Sequence, residues 1–546
     1  MPLILSERKP WIVQKYGGTS LGKLLSTITS TIIPGYLQNS NIAVVCSAIS
    51  GTSKSQGTTG LLFQAIEYAL HPQKGQYGLN ATIDAIRDNH LDLGRTLRLG
   101  ADDGSRLELG KVFTELEHGI VEDCESLRVF LVAAQTIGEL SGRSKDRVIA
   151  VGEKLACRVV VSSLARQGIT AKLVILEDLV DKGYSGDKHR QVEAYDTLGP
   201  RFFDVLATEI GRRLEDCGES VPVVTGFFGM MPGSLIRSVG RGYSDLCAAM
   251  CAAGISASEL QIWKEVDGIF TADPRKIPSA RLLPTVTLEE ASELTYYGSE
   301  VIHPFTMEQI RTANIPLRIK NVKNPDGNGT IVYPSQSGGT TTPESNSDPE
   351  RSVSDLSIST FMRANGYYGV SQNRRTPTAL TTKDSIVLIN IQSNRQKKSH
   401  GFLAQVFHKL DVMKAVADLI TSSEQLVSLA ISSFDEPEKT TRLIAELEKC
   451  GKVEVFSDMA IVSVIGHKMR NMVGIAGQIF SKLATGGVNI YLIGQGASEI
   501  NISLVIQKQD TLMAMNIIHA DVLGIPKHTA HIPIVQNSLM KGPWLF

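Results

Sequence analysis

The chain of 546 residues is short of cysteine, of charge imbalance and of long apolar runs. Its seven cysteines, an odd number, lie scattered with no C-x-x-C pair, which argues against a disulfide framework and a zinc site and for a reducing compartment. Lys and Arg number 55 against 56 Asp and Glu, a net charge of -1. No overall basic field exists to draw in nucleic acid or an anionic membrane, so small molecules are the expected partners. Nowhere do about 18 apolar residues run together as a membrane span requires, and the opening MPLILSERKP lacks an h-region long enough for a signal peptide. A cytoplasmic protein is expected. What is present is ordinary for a globular chain, 42% hydrophobic and 20% charged residues, in a length that calls for at least two domains.

Up to about residue 334, short apolar runs alternate with helical periodicity. The runs are NIAVVCSA (41–48), TAKLVILE (170–177), VPVVTGFFG (221–229) and LQIWKEVDGIF (260–270), and residues 147–167 have a helical pattern. Such alternation predicts an α/β domain over 1–334, three-layered, with a largely parallel buried sheet whose ligands collect at the C-terminal strand ends. Residues 335–383, rich in Ser, Thr, Pro and Gly, read as a linker. Beyond it the chain repeats itself: GFLAQVFHKL (401–410) matches GIAGQIFSKL (474–483), and without a gap DLIT (418–421) then falls on YLIG (491–494). Each copy reads strand, helix, strand, strand, predicting two small α+β domains at 384–457 and 458–530 with a tail at 531–546. Spacing alone leaves open whether the pair is a dimerisation platform or a sensor of small molecules.

The stretch WIVQKYGGTS (11–20) passes from a buried strand straight into lysine, glycines and hydroxyls. A strand end followed by a helix supplies what a phosphate needs: close backbone approach at Gly17 and Gly18, free N–H groups and a fixed cation, Lys15. The same residues satisfy G-x-x-x-x-G-K ending at Lys23, but Leu24 stands where a P-loop needs Ser or Thr for magnesium. A P-loop NTPase therefore remains a secondary alternative, and a plain Gly-rich turn is the bland one. Two more loops follow strands: Ser47 to Ser53, and VGRGYSDLCAAM (239–250), where Arg241 can fork onto a carboxylate and Asp245 can hold magnesium or position a lysine. Their ordinary reading is a local ion pair with helix capping. His303 before Pro304, and the pair Tyr296–Tyr297, are expected to be structural.

Taken together, KYGGTS (15–20), VGEKL (151–155), GRGYSD (240–245), WKEVDGIFTADPR (263–275) and SEVIHP (299–304) resemble aspartate kinases in order and spacing, and the duplicated C-terminal units resemble the paired ACT domains of that family. The Gly-Tyr-Ser-Asp form and the run 291–309 resemble the fungal branch. The resemblance implies an amino-acid kinase fold followed by two ferredoxin-like ACT domains, and ATP-dependent phosphorylation of the L-aspartate side chain with Mg2+. It implies that Lys15 and Asp245 are catalytic, and that Ser47, Ser53, Glu153, Arg241 and Ser244 bind aspartate. Lys15, Gly17, Gly18, Lys264, Glu265, Phe270 and Arg275 are implied to hold ATP, with no resident metal cage. Threonine is the implied feedback effector, at His400, Gly401, Phe402, Leu403 and Asp418 of the first ACT copy with Gln495 and Asn501 of the second, and homo-oligomers through the ACT domains are expected. Gly494 departs from the serine usual there. A glutamate or N-acetylglutamate kinase would share the glycine loops but lack WKEVDGIFTADPR and the ACT pair; a catalytically inactive amino-acid sensor is the remaining alternative.

Overall fold

A computed structural model describes residues 9–51, 56–71, 76–99, 106–184, 186–240, 242–296, 302–333, 377–393, 401–434, 436–467, 469, 472–496 and 500–526. They fall into two compact units, one within Met1–Gly268 and Ile302–Gln336, the other within Ile269–Val301 and Ser337–Phe546. The segment from Ile269 to Val301, within the span 1–334 expected for the first domain, groups with the second unit.

In the first unit, strands β1 (Trp11–Tyr16), β2 (Asn41–Cys46), β3 (Ala171–Val174), β4 (Val221–Thr225) and β5 (Glu259–Lys264) are joined, after a short β6 (Thr285–Thr287) belonging to the second unit, by β7 (Leu317–Asn321) and β8 (Thr330–Tyr333). Their order is β3-β4-β2-β1-β5-β7-β8, parallel except for the antiparallel β7–β8 pair. All five residues of β4 and five of six in β1 and β2 are buried, as befits strands covered on both faces. Helices Gln76–Leu99, Arg106–Ile137 and Gly142–Arg166 share one apolar core with β1, β2 and Trp263 of β5. The expected helix over 147–167 starts earlier, at Gly142, because the Ser141 side chain caps it by accepting from the Ser144 amide. The expected apolar strand over 260–270 stops at Lys264. Gly268 turns the chain at a φ of +144°, and a Cβ there would meet Thr330 Oγ1 at 2.3 Å, so only glycine fits. β1 sits between β2 and β5, and the loops after β1, β2, β4 and β5 open at one margin of the sheet.

The second unit is built on one antiparallel sheet. Its strands are β9 (Ala379–Ser393), β10 (Ala417–Ser422), β11 (Leu426–Ser432), β12 (Gly451–Ile465), β13 (Leu492–Gly494) and β14 (Asn501–Gln507), in the order β10-β11-β9-β12-β14-β13. β9 and β12 pair from Ala379↔Ile465 to Ser393↔Gly451, so each serves both repeats. Midway, Ser385 and Asp458 take positive φ of 61° and 55° and the register shifts around Met459, bending the sheet. One apolar cluster lies under the helices of each repeat, and a third joins Ile386, Leu388, Leu419, Ala430, Ile461, Leu492 and Val505 between the halves. β10 and β13 end the strand order at opposite edges, yet a Cβ on Gly494 would lie 2.9 Å from Leu419 Cδ2; the halves fold face to face. The expected boundaries at 383/384 and 457/458, between 335–383, 384–457 and 458–530, fall within the continuous strands β9 and β12. Ala379–Lys383 is strand, not linker, and pairs with the second repeat; a strand shared by two repeats carries no break in its own sequence. The rest of the expected linker up to 376, and the tail 531–546, lie outside the described residues.

Candidate active site

Lys15 lies on β1 opposite Val45 of β2 and Ile262 of β5, one residue before the strand ends. Flanked on both sides, it is only 8% exposed. Its Nζ is 2.7 Å from Asp245 Oδ1. Asp245 sits in the first turn of the helix Tyr243–Gly254, which begins after Gly242 at a φ of +94°, where the N-terminal dipole favours an anion. Burial alone would raise the Asp245 pKa, but Lys15, Lys264 and His303 outweigh it and hold the carboxyl below its ordinary value. An ionised carboxylate therefore holds Lys15, with the charge of Lys264 from the neighbouring strand within electrostatic reach.

Glu153 is 2% exposed, in mid-helix. Desolvation pushes its pKa up to about 8, against the opposing effects of the Tyr243 hydroxyl, Lys15 and the Phe227 amide. Its Oε2 is buried with no hydrogen-bond partner. Gly226 makes room for this arrangement, since a Cβ there would meet Ser244 Cβ at 2.6 Å and Glu153 Oε1 at 3.1 Å. Ser47, after β2, and Ser244, beside Asp245, share a hydrogen bond of 2.8 Å between their hydroxyls. Residues separated by up to 230 positions thus meet at one sheet margin, with a buried acid that has an unused oxygen.

The glycine loop divides its labour. Gly17 has open space where a Cβ would stand, whereas Gly18 is pressed against the Ala48 carbonyl and Gly22 against the Ser50 carbonyl, so the latter two serve packing. Ser20, which was not singled out in the sequence, donates to Glu265 Oε1 at 2.7 Å and ties the loop after β1 to the turn after β5. Asp267 in that turn accepts from Asn321 Nδ2 at 3.0 Å. Asp146, also missed, accepts from Ser234 Oγ at 2.8 Å and from the Leu235 amide, fastening the loop that leads to Gly240 onto the helix of Glu153. No local pattern marks such pairs, which lie 88 to 245 positions apart. Lys23 is exposed and the chain at Leu24 is kinked out of helical geometry, unlike a P-loop. His303 caps the helix Pro304–Thr312, accepting from the Phe305 amide and bonding the Val239 carbonyl at 2.7 Å through Nε2; both ring nitrogens are engaged, as expected of a structural histidine. Tyr296 is half exposed. Phe270 and Arg275 lie in the second unit, outside this cluster: Phe270 bridges Leu282, and Arg275 pairs with Asp273 at 2.8 Å. Ser53, Arg241 and Tyr297 are outside the described residues.

Of the candidate effector residues, Phe402 is buried in the core beneath the first repeat, and Leu403, Gly401 and Gln495 are exposed. Asp418 accepts from Lys383 Nζ at 2.6 Å and Ser432 Oγ at 2.9 Å. Asn501 donates to Glu293. The Gly494–Leu419 contact brings the strand of Asp418 beside that of Gly494; His400 is outside the described residues. Among the described residues no group of three or more His, Cys, Asp or Glu is placed to hold a metal ion, and no helix is long and apolar enough to cross a membrane.

Comparison with known proteins agrees with this architecture. The family model of the amino acid kinase family matches residues 10–321, and an ACT domain model matches 462–522. The chain is 45% identical to the aspartokinase of Candida albicans over 94% of its length and 90% of the relative's. It is 43% identical to that of Schizosaccharomyces pombe over 98% and 97%. Escherichia coli aspartokinase III with lysine and aspartate shares the fold at a TM-score of 0.65 and 23% identity, covering 94% of this chain and 99% of that one. The Clostridium acetobutylicum aspartate kinase does so at 0.65 and 20%, over 94% and 100%. The chain belongs to the aspartokinase family of amino acid kinases.

Proposed function

We propose that the protein transfers the γ-phosphoryl group of ATP to the side-chain carboxylate of L-aspartate, forming 4-phospho-L-aspartate and ADP, the entry step toward threonine, methionine and isoleucine. The observation that carries this reading is the buried Lys15–Asp245 pair, set among hydroxyls and an acid with an unused oxygen. A carboxylate of pKa about 3.9 is ionised at neutral pH and needs no general base; its obstacle is repulsion from the triphosphate. Lys15 and Lys264 supply fixed positive charge where the transferring group develops negative charge, and Asp245 holds Lys15 in place. Gly17 offers its amide to the phosphates, and Glu265, steadied by Ser20, fixes the neighbouring turn. Glu153 Oε2 takes the substrate ammonium, and Ser47 and Ser244 orient the amino acid in line. By the same resemblance Arg241 binds a substrate carboxylate and Ser53 also contacts aspartate. Mg2+ arrives with the nucleotide and neutralises phosphate charge; the single carboxylate of Asp245 suits a metal held mainly by phosphates and water.

The ACT pair is read as a feedback device for threonine, acting in a cytoplasmic homo-oligomer. The contact of Gly494 with Leu419 supports an effector site shared by the two repeats, to which Gln495 and Asn501 would contribute from the second. Such control requires threonine to bind an inactive arrangement better than the active one. Hydroxamate trapping of the acyl phosphate, with ATP, Mg2+ and aspartate and with or without threonine, tests both parts: product must depend on aspartate, and threonine must lower it. Absence of aspartate-dependent hydroxamate refutes the catalytic reading.

A further inference from the structure

Asp418 is 8% exposed overall and its side chain 1%. A carboxylate so buried is costly without a cation, and one cation suffices. Here that cation is internal: Lys383 Nζ at 2.6 Å, with Ser432 Oγ adding a hydrogen bond at 2.9 Å. The same Nζ lies 5.8 Å from the ring centroid of Tyr296, the last residue of the helix Leu288–Tyr296, within cation–π range. Lys383 also stands on β9 two residues before its bend at Ser385, so one side chain touches a buried acid, the point where the sheet folds and the end of a helix.

That helix is gripped by the second unit along its length. Glu290, fully buried, accepts from the Thr287 and His467 amides and from the Thr378 hydroxyl. Glu293 accepts from Asn501. In sequence the same segment is bounded by first-unit chain: Gly268 precedes it, four residues after Lys264, and Ile302 and His303 follow it. The segment that carries this helix is thus continuous in sequence with the loop after β5.

We propose that Lys383 is the switch residue of the effector site: the ammonium of a free amino acid displaces its Nζ from Asp418, and the displaced lysine alters the hold on the helix Leu288–Tyr296. An amino-acid ammonium has the charge and the three donors of a lysine head group, so the two compete for one carboxylate. The displaced group has somewhere to go. The Lys383 side chain is 29% exposed, and it lines a cavity of about 270 Å³ with the ion pairs Asp273–Arg275 at 2.8 Å and Asp384–Lys276 at 2.9 Å, so the freed ammonium can remain hydrated. It rests on the reading of Asp418 as an effector residue, and by linkage the release of Lys383 and the binding of effector must favour each other.

The test uses the full-length protein, threonine as probe, calorimetric binding and hydroxamate formation as parallel readouts. Lys383→Met removes the competitor and the contact with Tyr296 together: threonine binds about tenfold tighter, yet its inhibition at saturation falls to less than half of wild type. Lys383→Arg keeps the charge and restores inhibition toward wild type. Tyr296→Leu leaves the Asp418 pair intact, so it keeps threonine affinity within about twofold while weakening inhibition, and it decides the matter should Lys383→Met fail to fold. Unchanged affinity and unchanged inhibition in Lys383→Met, or full inhibition in Tyr296→Leu, overturns the switch. Absence of threonine binding to the wild type overturns the effector reading itself, and a wild type that binds threonine while Asp418→Asn binds it equally well moves the site away from Asp418.

Discussion

Buried charge is treated in opposite ways in the two units. In the first, Glu153 is sealed in with one oxygen unpartnered and its pKa pushed up to about 8, while Lys15 pairs with the carboxylate of Asp245 within the field of Lys264. In the second, Asp418 and Glu290 are answered by donors from their own unit, Lys383 and Ser432 for the one, Thr287, Thr378 and the His467 amide for the other. Incomplete satisfaction costs stability and is tolerated where a substrate will complete it. Complete internal pairing makes a unit stable in itself, so that a ligand can enter only by exchange, which suits a regulatory element.

The largest test of this contrast is Lys15→Ala. It should lower kcat about a thousandfold, read by hydroxamate formation, with the fold retained by circular dichroism, because fixed charge at the transferring group is what is lost. A residual rate within tenfold of wild type would remove Lys15 from the mechanism. Next, Glu153→Gln should raise the KM for aspartate by about ten- to a hundredfold with a smaller effect on kcat, as loss of a buried counter-charge to the ammonium predicts. The ionised acid is the binding form, so wild-type KM should fall as the pH rises toward 8, and the variant should lose that slope. The stability effect has the opposite sense. With a folded pKa above the free value of 4.5, the contribution of Glu153 is full below that value and is lost as pH rises through about 8. Thermal melts at alkaline pH should therefore favour the glutamine variant.

Gly226→Ala probes how tightly the first site is packed. Its methyl would sit 2.6 Å from Ser244 Cβ and 2.9 Å from the Cys46 carbonyl, so urea unfolding should show a loss of about 1–3 kcal/mol along with weaker aspartate binding. In the second unit, Gly494→Ser places a Cβ 2.9 Å from the movable end of Leu419. That side chain can give way, so stability should change by less than about 1 kcal/mol and threonine inhibition by a few-fold, measured as its half-inhibiting concentration. The smallest effect is expected for Lys23→Ala: exposed at a helix kink, it should leave turnover within about twofold, as a surface substitution does. A large loss there would revive the P-loop alternative.

What could be read beforehand follows from what is local. Buried strands such as NIAVVC declare themselves by continuous apolar residues, Lys15-Tyr-Gly-Gly and Gly-Tyr-Ser-Asp mark their loops by residue type, and the repeat is visible at a fixed offset. The helix Gly142–Arg166 was legible and only its start was misjudged, because the Ser141 cap lies outside the apolar pattern. The sharing of β9 and β12 between repeats was not legible, since a strand of 15 residues that serves both repeats has one unbroken β pattern. Nor was the allotment of the segment from Ile269 to the second unit.

The sequence by itself determined the family, the two-part organisation and the residue types at the sheet margin, because these depend on periodicity, turn chemistry and short motifs. Only the tertiary structure decided which of them meet: Lys15 with Asp245, Ser20 with Glu265, Asp146 with the loop before Gly240, Lys383 with Asp418. The reason is physical. A hydrogen bond or ion pair acts over about 3 Å in space whatever the separation along the chain, and that separation is closed by packing the whole sheet, which no local stretch encodes.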